Sequence, residues 1–115
     1  MTDAARDKAR RLIGLGVRAR SVVVGVEQVR EAVRKGRVAL AIVADDASTH
    51  SRVKVGRLLA ARGVTVASGV SAAWLGEAVG RDTAAAVAVV DGALARGIAE
   101  SLGSVAGSRP KGGTG

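Results

Sequence analysis

The chain has no cysteine, no phenylalanine and no tyrosine, and only one proline, one methionine and one tryptophan in 115 residues. Without cysteine there is no disulfide, no thiolate metal site and no cysteine nucleophile. With Trp74 as the sole aromatic, the core must be built from Ala, Val, Leu and Ile, which brings elements close together and buries less area per residue. Long apolar runs are missing too. The longest, residues 38–44 and 84–90, are strand-sized, far below the ~20 residues of a membrane helix. The opening MTDAARDKARR has charge but no apolar stretch of the secretory kind, so a soluble, cytoplasmic protein is expected.

What is there is ordinary in amount: 48% hydrophobic and 24% charged, enough for one domain with a modest core. The formal net charge is +8, and its placement is uneven. Residues 1–20 hold six basic and two acidic side chains, residues 21–37 four and two, and residues 38–106 six of each. The excess therefore sits in the first third and in the last nine residues. A one-sided basic field favours polyanions, most often nucleic acid.

Spacing gives the elements. Ala5, Ala9, Leu12, Ile13 and Gly16 recur at helical intervals, predicting an amphipathic helix over 3–16 with Arg6, Arg10 and Arg11 outward. A short strand at 21–24 leads through Gly25 into a helix over 26–35, with Val29, Ala32 and Val33 inward and Gly36 as its C-terminal cap. The continuous apolar run 38–44 predicts a strand covered on both faces. Ser48 is a natural N-cap for a helix to about residue 62. A strand at 64–67, a helix capped by Ser71 and running to 79, an apolar strand over 84–90 and a final helix capped by Asp91 complete the pattern. Four strands alternating with about five helices predict an α/β fold, a three-layer α/β/α sandwich around one mixed sheet. The domain is placed at 1–102 and a flexible basic tail at 103–115.

A catalytic reading has little to stand on. His50, the one histidine, falls in the first turn of a helix with no partner for Ser-His-Asp chemistry. Asp45 and Asp46 end a strand, where α/β sheets collect their sites, yet no spaced third carboxylate joins them. Their expected role is to interact with the dipole of the helix that follows. Gly14-Leu15-Gly16 precedes a strand instead of following one, and no P-loop pattern exists. No catalytic residue, metal or cofactor is expected. Gly25-Val26-Glu27-Gln28 fits a different chemistry: a helix N-terminus offers N–H groups to phosphate, glycine permits close backbone approach, and Gln28 can both donate and accept.

The order of pieces adds to this. Gly25-x-Glu27-Gln28, Ala32-Val33-x-x-Gly36, Ala44-x-Asp46-Ala47-Ser48, Leu75-Gly76-x-Ala78-x-Gly80 and the apolar strand into Asp91 together resemble the kink-turn RNA-binding ribosomal proteins, the L-seven-Ae/L-thirty-e superfamily, in its bacterial YlxQ-like branch. The resemblance covers about residues 11–102. It implies the same three-layer sandwich with a four-stranded mixed sheet, and binding of RNA bent by tandem sheared G·A pairs. The family motif G-x-N-E-x-x-K falls on Gly25, Glu27, Gln28 and Glu31. A second contact loop falls on Ser68, Gly69, Val70 and Ser71, and further contacts on Ser48, Arg52 and Arg62. Glu27 and Glu31 replace a neutral amide and a cation, and Arg30, Arg34, Arg18 and Arg20 stand nearby to compensate.

The resemblance implies a non-enzymatic RNA-binding protein of the translation machinery, with structured RNA and ribosomal proteins as partners, no membrane, and a monomeric state. A protein-interaction module that kept the fold but lost RNA reading is the alternative, favoured by Glu31. A substrate-binding piece of an RNA methyltransferase ranks last. Trp74, beside Leu75 in a short helix, reads as core or semi-buried packing, with base stacking as its other role.

Overall fold

The computed structural model describes residues 2–103, 105 and 106. Ten elements follow in order: α1 (Asp3–Arg18), β1 (Val22–Val24), α2 (Val26–Arg34), β2 (Leu40–Val43), α3 (Thr49–Ala61), β3 (Val66–Ala67), α4 (Ala72–Val79), β4 (Ala86–Val89), α5 (Gly92–Leu102) and β5 (Val105–Ala106). The four expected strands form the mixed sheet, and the two-residue β5 extends its edge, giving the order β1-β4-β2-β3-β5. The C-terminal tail expected from residue 103 thus begins with a strand pair, Ala67 opposite Val105 and Val66 opposite Ala106. Residues 107–115, the remainder of that tail, lie outside the described residues.

The helices divide by the alternation of the strands. In β4, Val87 and Val89 point to one face and Ala86 and Ala88 to the other, because successive side chains alternate. In β2, Leu40 and Ile42 share the valine face and Ala41 the alanine face. Helices α1, α4 and α5 cover the first face, with Ile13, Leu75, Ile98 and Leu102 fully buried against it. Helices α2 and α3 cover the second, with Val29, Val33, Val55 and Leu59. The floor under α2 and α3 is alanine, which lets their valines and leucines reach the sheet without an aromatic filler. Each such aliphatic side chain contributes about 1.5–3 kcal/mol on burial. No polar or charged side chain is buried among the described residues.

Two close approaches replace bulk. At Gly16, an added Cβ would collide with Val22 and Leu94, so this glycine lets α1 sit on β1 and α5. At Gly76 it would lie 2.5 Å from Thr83 Cα and 2.6 Å from Thr83 N, backbone that cannot step aside. Trp74 is half-buried and packs against the α1/α4/α5 core.

The topology also fixes where loops meet. β1 and β2 each run antiparallel to β4, and β3 runs parallel to β2. The C-terminal ends of β1, β2 and β3 therefore lie on one edge of the sheet, beside the start of β4. No described helix is long and apolar enough to cross a membrane.

Candidate nucleic-acid interface

The edge just described is stitched by backbone. Gly25 N–H donates to Ala86 O at 2.9 Å, Ala44 N–H to Ala85 O at 2.9 Å, and Asp45 N–H to Val70 O at 2.8 Å. Gly25 has φ 105° and ψ 149°, a conformation essentially confined to glycine. It turns β1 into α2 within one residue. No side chain caps α2, and its first intrahelical bond is Val29 N–H to Gly25 O at 2.9 Å. The N–H groups of Val26, Glu27 and Gln28 lie ahead of that bond, at the positive end of the helix. The Gln28 amide folds back over the glycine: a Cβ at position 25 would stand 2.6 Å from Gln28 Oε1. Gln28 is otherwise exposed.

The carboxylates flanking this turn are already paired. Glu27 accepts from Lys54 Nζ at 2.6 Å and from Arg30 Nη1 at 3.1 Å. The hydrogen bond from the Lys54 ammonium foremost holds the Glu27 carboxyl below its ordinary value of 4.5; desolvation, next in size, opposes it, and the charges of Lys54 and Arg30 add to the lowering. Glu31 lies 3.5 Å from Lys35 Nζ and 3.9 Å from Arg34 Nη1. Both acids are thus offset by two cations each, and the surface around the turn is not acidic. Arg30 and Lys54 border the same groove between α2 and α3 as His50 and Arg57.

The loop after β2 and the first turn of α3 bring Ser48 and Arg52 to this edge. Ser48 Oγ caps α3 by accepting from Ser51 N–H at 3.1 Å, and Arg52 Nε donates to Ala47 O at 3.2 Å. The loop after β3 brings Ser68, Gly69 and Ser71. Ser71 Oγ caps α4 through Trp74 N–H at 3.0 Å. Ser68 is exposed and Gly69 half-exposed, with φ 92°.

Three expected contact residues are placed elsewhere. Val70 is 2% exposed and packs in the core, so its side chain is not offered to a ligand. Arg62 follows α3 and donates to Val33 O at 3.4 Å and Arg34 O at 3.3 Å, the last carbonyls of α2. That is the opposite end of α2 from Gly25, where a cation offsets the helix dipole. Arg34, in the last turn of α2, stands at that end as well.

The acidic pair also departs from the local reading. Asp45 Oδ1 accepts from Gly69 N–H at 3.0 Å and Asp46 Oδ1 from Ala72 N–H at 2.7 Å. They secure the loop after β3 and the start of α4, not the helix that follows them in sequence. Arg6 closes the other side, donating to Gly69 O at 3.0 Å. Asp45, Asp46, Arg6 and Lys54 are the residues that sequence spacing missed. Their partners are 24 to 63 positions away, and the parallel β2–β3 pairing, the α2–α3 packing and the packing of α1 against α4 bring them in.

Similarity to known proteins agrees with this architecture. A protein of unknown function from Bacillus halodurans superposes with a TM-score of 0.78 at 31% identity, over 84% of this chain and 98% of that one. A Giardia lamblia 15.5kD RNA binding protein superposes with a TM-score of 0.71 at 21% identity, over 90% of this chain and 88% of that one. Among curated protein sequences none matches. A family model matches residues 7–106, from α1 through β5, and by that match the chain belongs to the ribosomal protein L7Ae/L30e/S12e/Gadd45 family.

Proposed function

We propose that the protein is a non-enzymatic RNA-binding protein, and that it takes a bent RNA of the kink-turn type, within the cytoplasmic translation machinery, on the sheet edge built by residues 25–28, 44–48 and 68–71. Family membership supports RNA as the ligand class. The observation that carries the reading is the turn at Gly25. An uncapped helix start, an exposed amide at Gln28 and the cations Arg30, Lys54 and Arg52 converge beside two loops held in register by Asp45 and Asp46. Uncapped N–H groups take a phosphate or a base-edge acceptor. Gln28 reads a base edge through both ends of its amide. Ser68, Gly69 and Ser71 line the place of an extruded nucleotide. Glu27 tethers Lys54 and Arg30 beside the RNA backbone in the absence of ligand, and Arg52 adds a third cation.

Glu31, exposed where the family places lysine, favours a second reading, a protein-interaction module on the same fold. A fluorescence-anisotropy titration against a kink-turn RNA and a plain duplex of equal length separates the two. The proposed function predicts tighter binding to the bent RNA. Equal affinity for both removes kink-turn recognition, and no binding at low salt favours the protein partner.

A further inference from the structure

Helix α1 carries five basic and two acidic side chains, and the corner at Gly25 does not use its outward cations. Its buried positions, Ala9, Ile13 and Gly16, face the core. Lys8, Arg11, Leu15 and Arg18 recur at i, i+3, i+7 and i+10 and share the outward side, all four exposed. They border a groove of about 720 Å³ together with Glu77 of α4. Among the described residues the one acidic side chain lining the groove, Glu77, is already engaged. Arg10 bonds Asp7 at 2.8 Å and Glu77 at 2.5 Å, which leaves Lys8, Arg11 and Arg18 outside every ion pair among the described residues.

We propose that the outer face of α1 is a second RNA-binding track, where Lys8, Arg11 and Arg18 neutralise the phosphates of a helical arm leaving the bent RNA at the Gly25 edge. This rests on the RNA-binding reading of that edge and extends it to a separate surface. Continuity supports it. Arg6, in the first turns of α1, donates to Gly69 O at 3.0 Å, so the helix starts at the corner and runs away from it along the α1/α4/α5 face. From Lys8 to Arg18 the track spans about 15 Å at 1.5 Å per residue. A duplex presents roughly one charge per 1.7 Å of axis, so several phosphates pass along it. Arginine's planar fork suits phosphate oxygens. An acidic protein fits less well: Leu15 is 51% exposed, but one leucine among three cations is an ordinary surface residue and a poor anchor.

The test compares the full chain with a Lys8→Ala/Arg11→Ala/Arg18→Ala variant, by anisotropy across a salt series. One probe is a short bent RNA. The other is the same RNA with one arm, then the other, lengthened by a helical turn. Thermal melting checks that the variant folds, as these side chains are all exposed. The wild type is expected to gain affinity and a steeper salt dependence on one lengthened RNA. The variant should lose that gain, with a slope shallower by about 2–3, near 0.7–0.9 for each phosphate contact removed. Its affinity for the short RNA should be unchanged. Equal slopes for wild type and variant on both lengthened RNAs overturn the track. In that case Gln28→Ala, which should weaken both RNAs alike, still reports on the corner by itself. If the wild type does not prefer the bent RNA, the corner reading fails and a plain duplex decides the track by the same difference in slope. A poly-glutamate peptide that binds wild type but not the variant, with no effect of arm length, overturns it in favour of an acidic protein.

Discussion

Replacing Gly25 with alanine separates the backbone of the turn from its side chains. At φ 105° and ψ 149°, position 25 occupies a region where an L-residue is strained by about 1–3 kcal/mol. The added methyl also meets Gln28 Oε1 at 2.6 Å. That second contact is soft, because the Gln28 amide is exposed and can swing away. The strain is not soft: Gly25 N–H is bonded to Ala86 O and its carbonyl to Val29 N–H, so the backbone cannot rotate without losing both. The stability loss should therefore be about 1–3 kcal/mol, or roughly 4–8 °C of melting temperature per kcal/mol for a domain near this size. Urea denaturation and thermal melting read it directly. Gly25→Ala/Gln28→Ala should recover little stability, because only the collision is relieved. RNA affinity should fall in both, since both lose the amide's place over the turn. A Gly25→Ala protein that melts with the wild type refutes the strained turn. Full recovery in the double variant shows that crowding, not backbone, is what glycine avoids there.

Other expectations follow from the same contacts. Gly76→Ala places a Cβ 2.5 Å from the Thr83 backbone and should cost about 1–3 kcal/mol by overpacking, measured as a lower urea midpoint with unchanged slope. Glu31→Lys restores a cation in the first turns of α2 and should tighten RNA binding roughly ten-fold or more, at about 1.5–3 kcal/mol for a charge-assisted hydrogen bond. Unchanged affinity in that variant places position 31 outside the contact. Because its cations hold the folded Glu27 carboxyl below 4.5, its pairing with Lys54 and Arg30 supports the fold above that pH and is lost as pH falls through the lowered value. The stability difference between wild type and Glu27→Gln should accordingly be level near neutral pH and shrink below 4.5 in a pH series of denaturation curves.

Helix starts were the most legible feature of the chain. Ser48, Ser71 and Asp91 each cap the helix that their position in the sequence announces, since a cap is a contact within three residues. Strand ends were less so. The apolar run 38–44 contains β2 but pairs only over Leu40–Val43, and 64–67 shrinks to Val66–Ala67, because ladder bonds depend on neighbours and not on hydropathy. β5 lies in a stretch of small residues with no strand signal of its own, and it exists by pairing with β3. The same limit applies at the candidate interface. Gly25 and Gln28 are legible because their partnership is local. Sequence spacing points Asp45 and Asp46 at the nearest helix because their true partners, the N–H groups of Gly69 and Ala72, belong to the next βα unit. Val70 sits within a loop by sequence, yet the loop folds inward there and buries it. Arg62 follows a helix whose far end neighbours the far end of α2, which no spacing within α3 reveals.

The central claim is that RNA meets the protein at the turn after β1, through backbone N–H groups as well as side chains. Amide chemical shifts of the isotopically labelled protein, followed during titration with a kink-turn RNA, test it most directly. The account predicts the largest changes at Gly25, Val26, Glu27 and Gln28, with a second group at Ser68, Gly69 and Ser71. Changes confined to other surfaces, with these amides unmoved at saturating RNA, would contradict it.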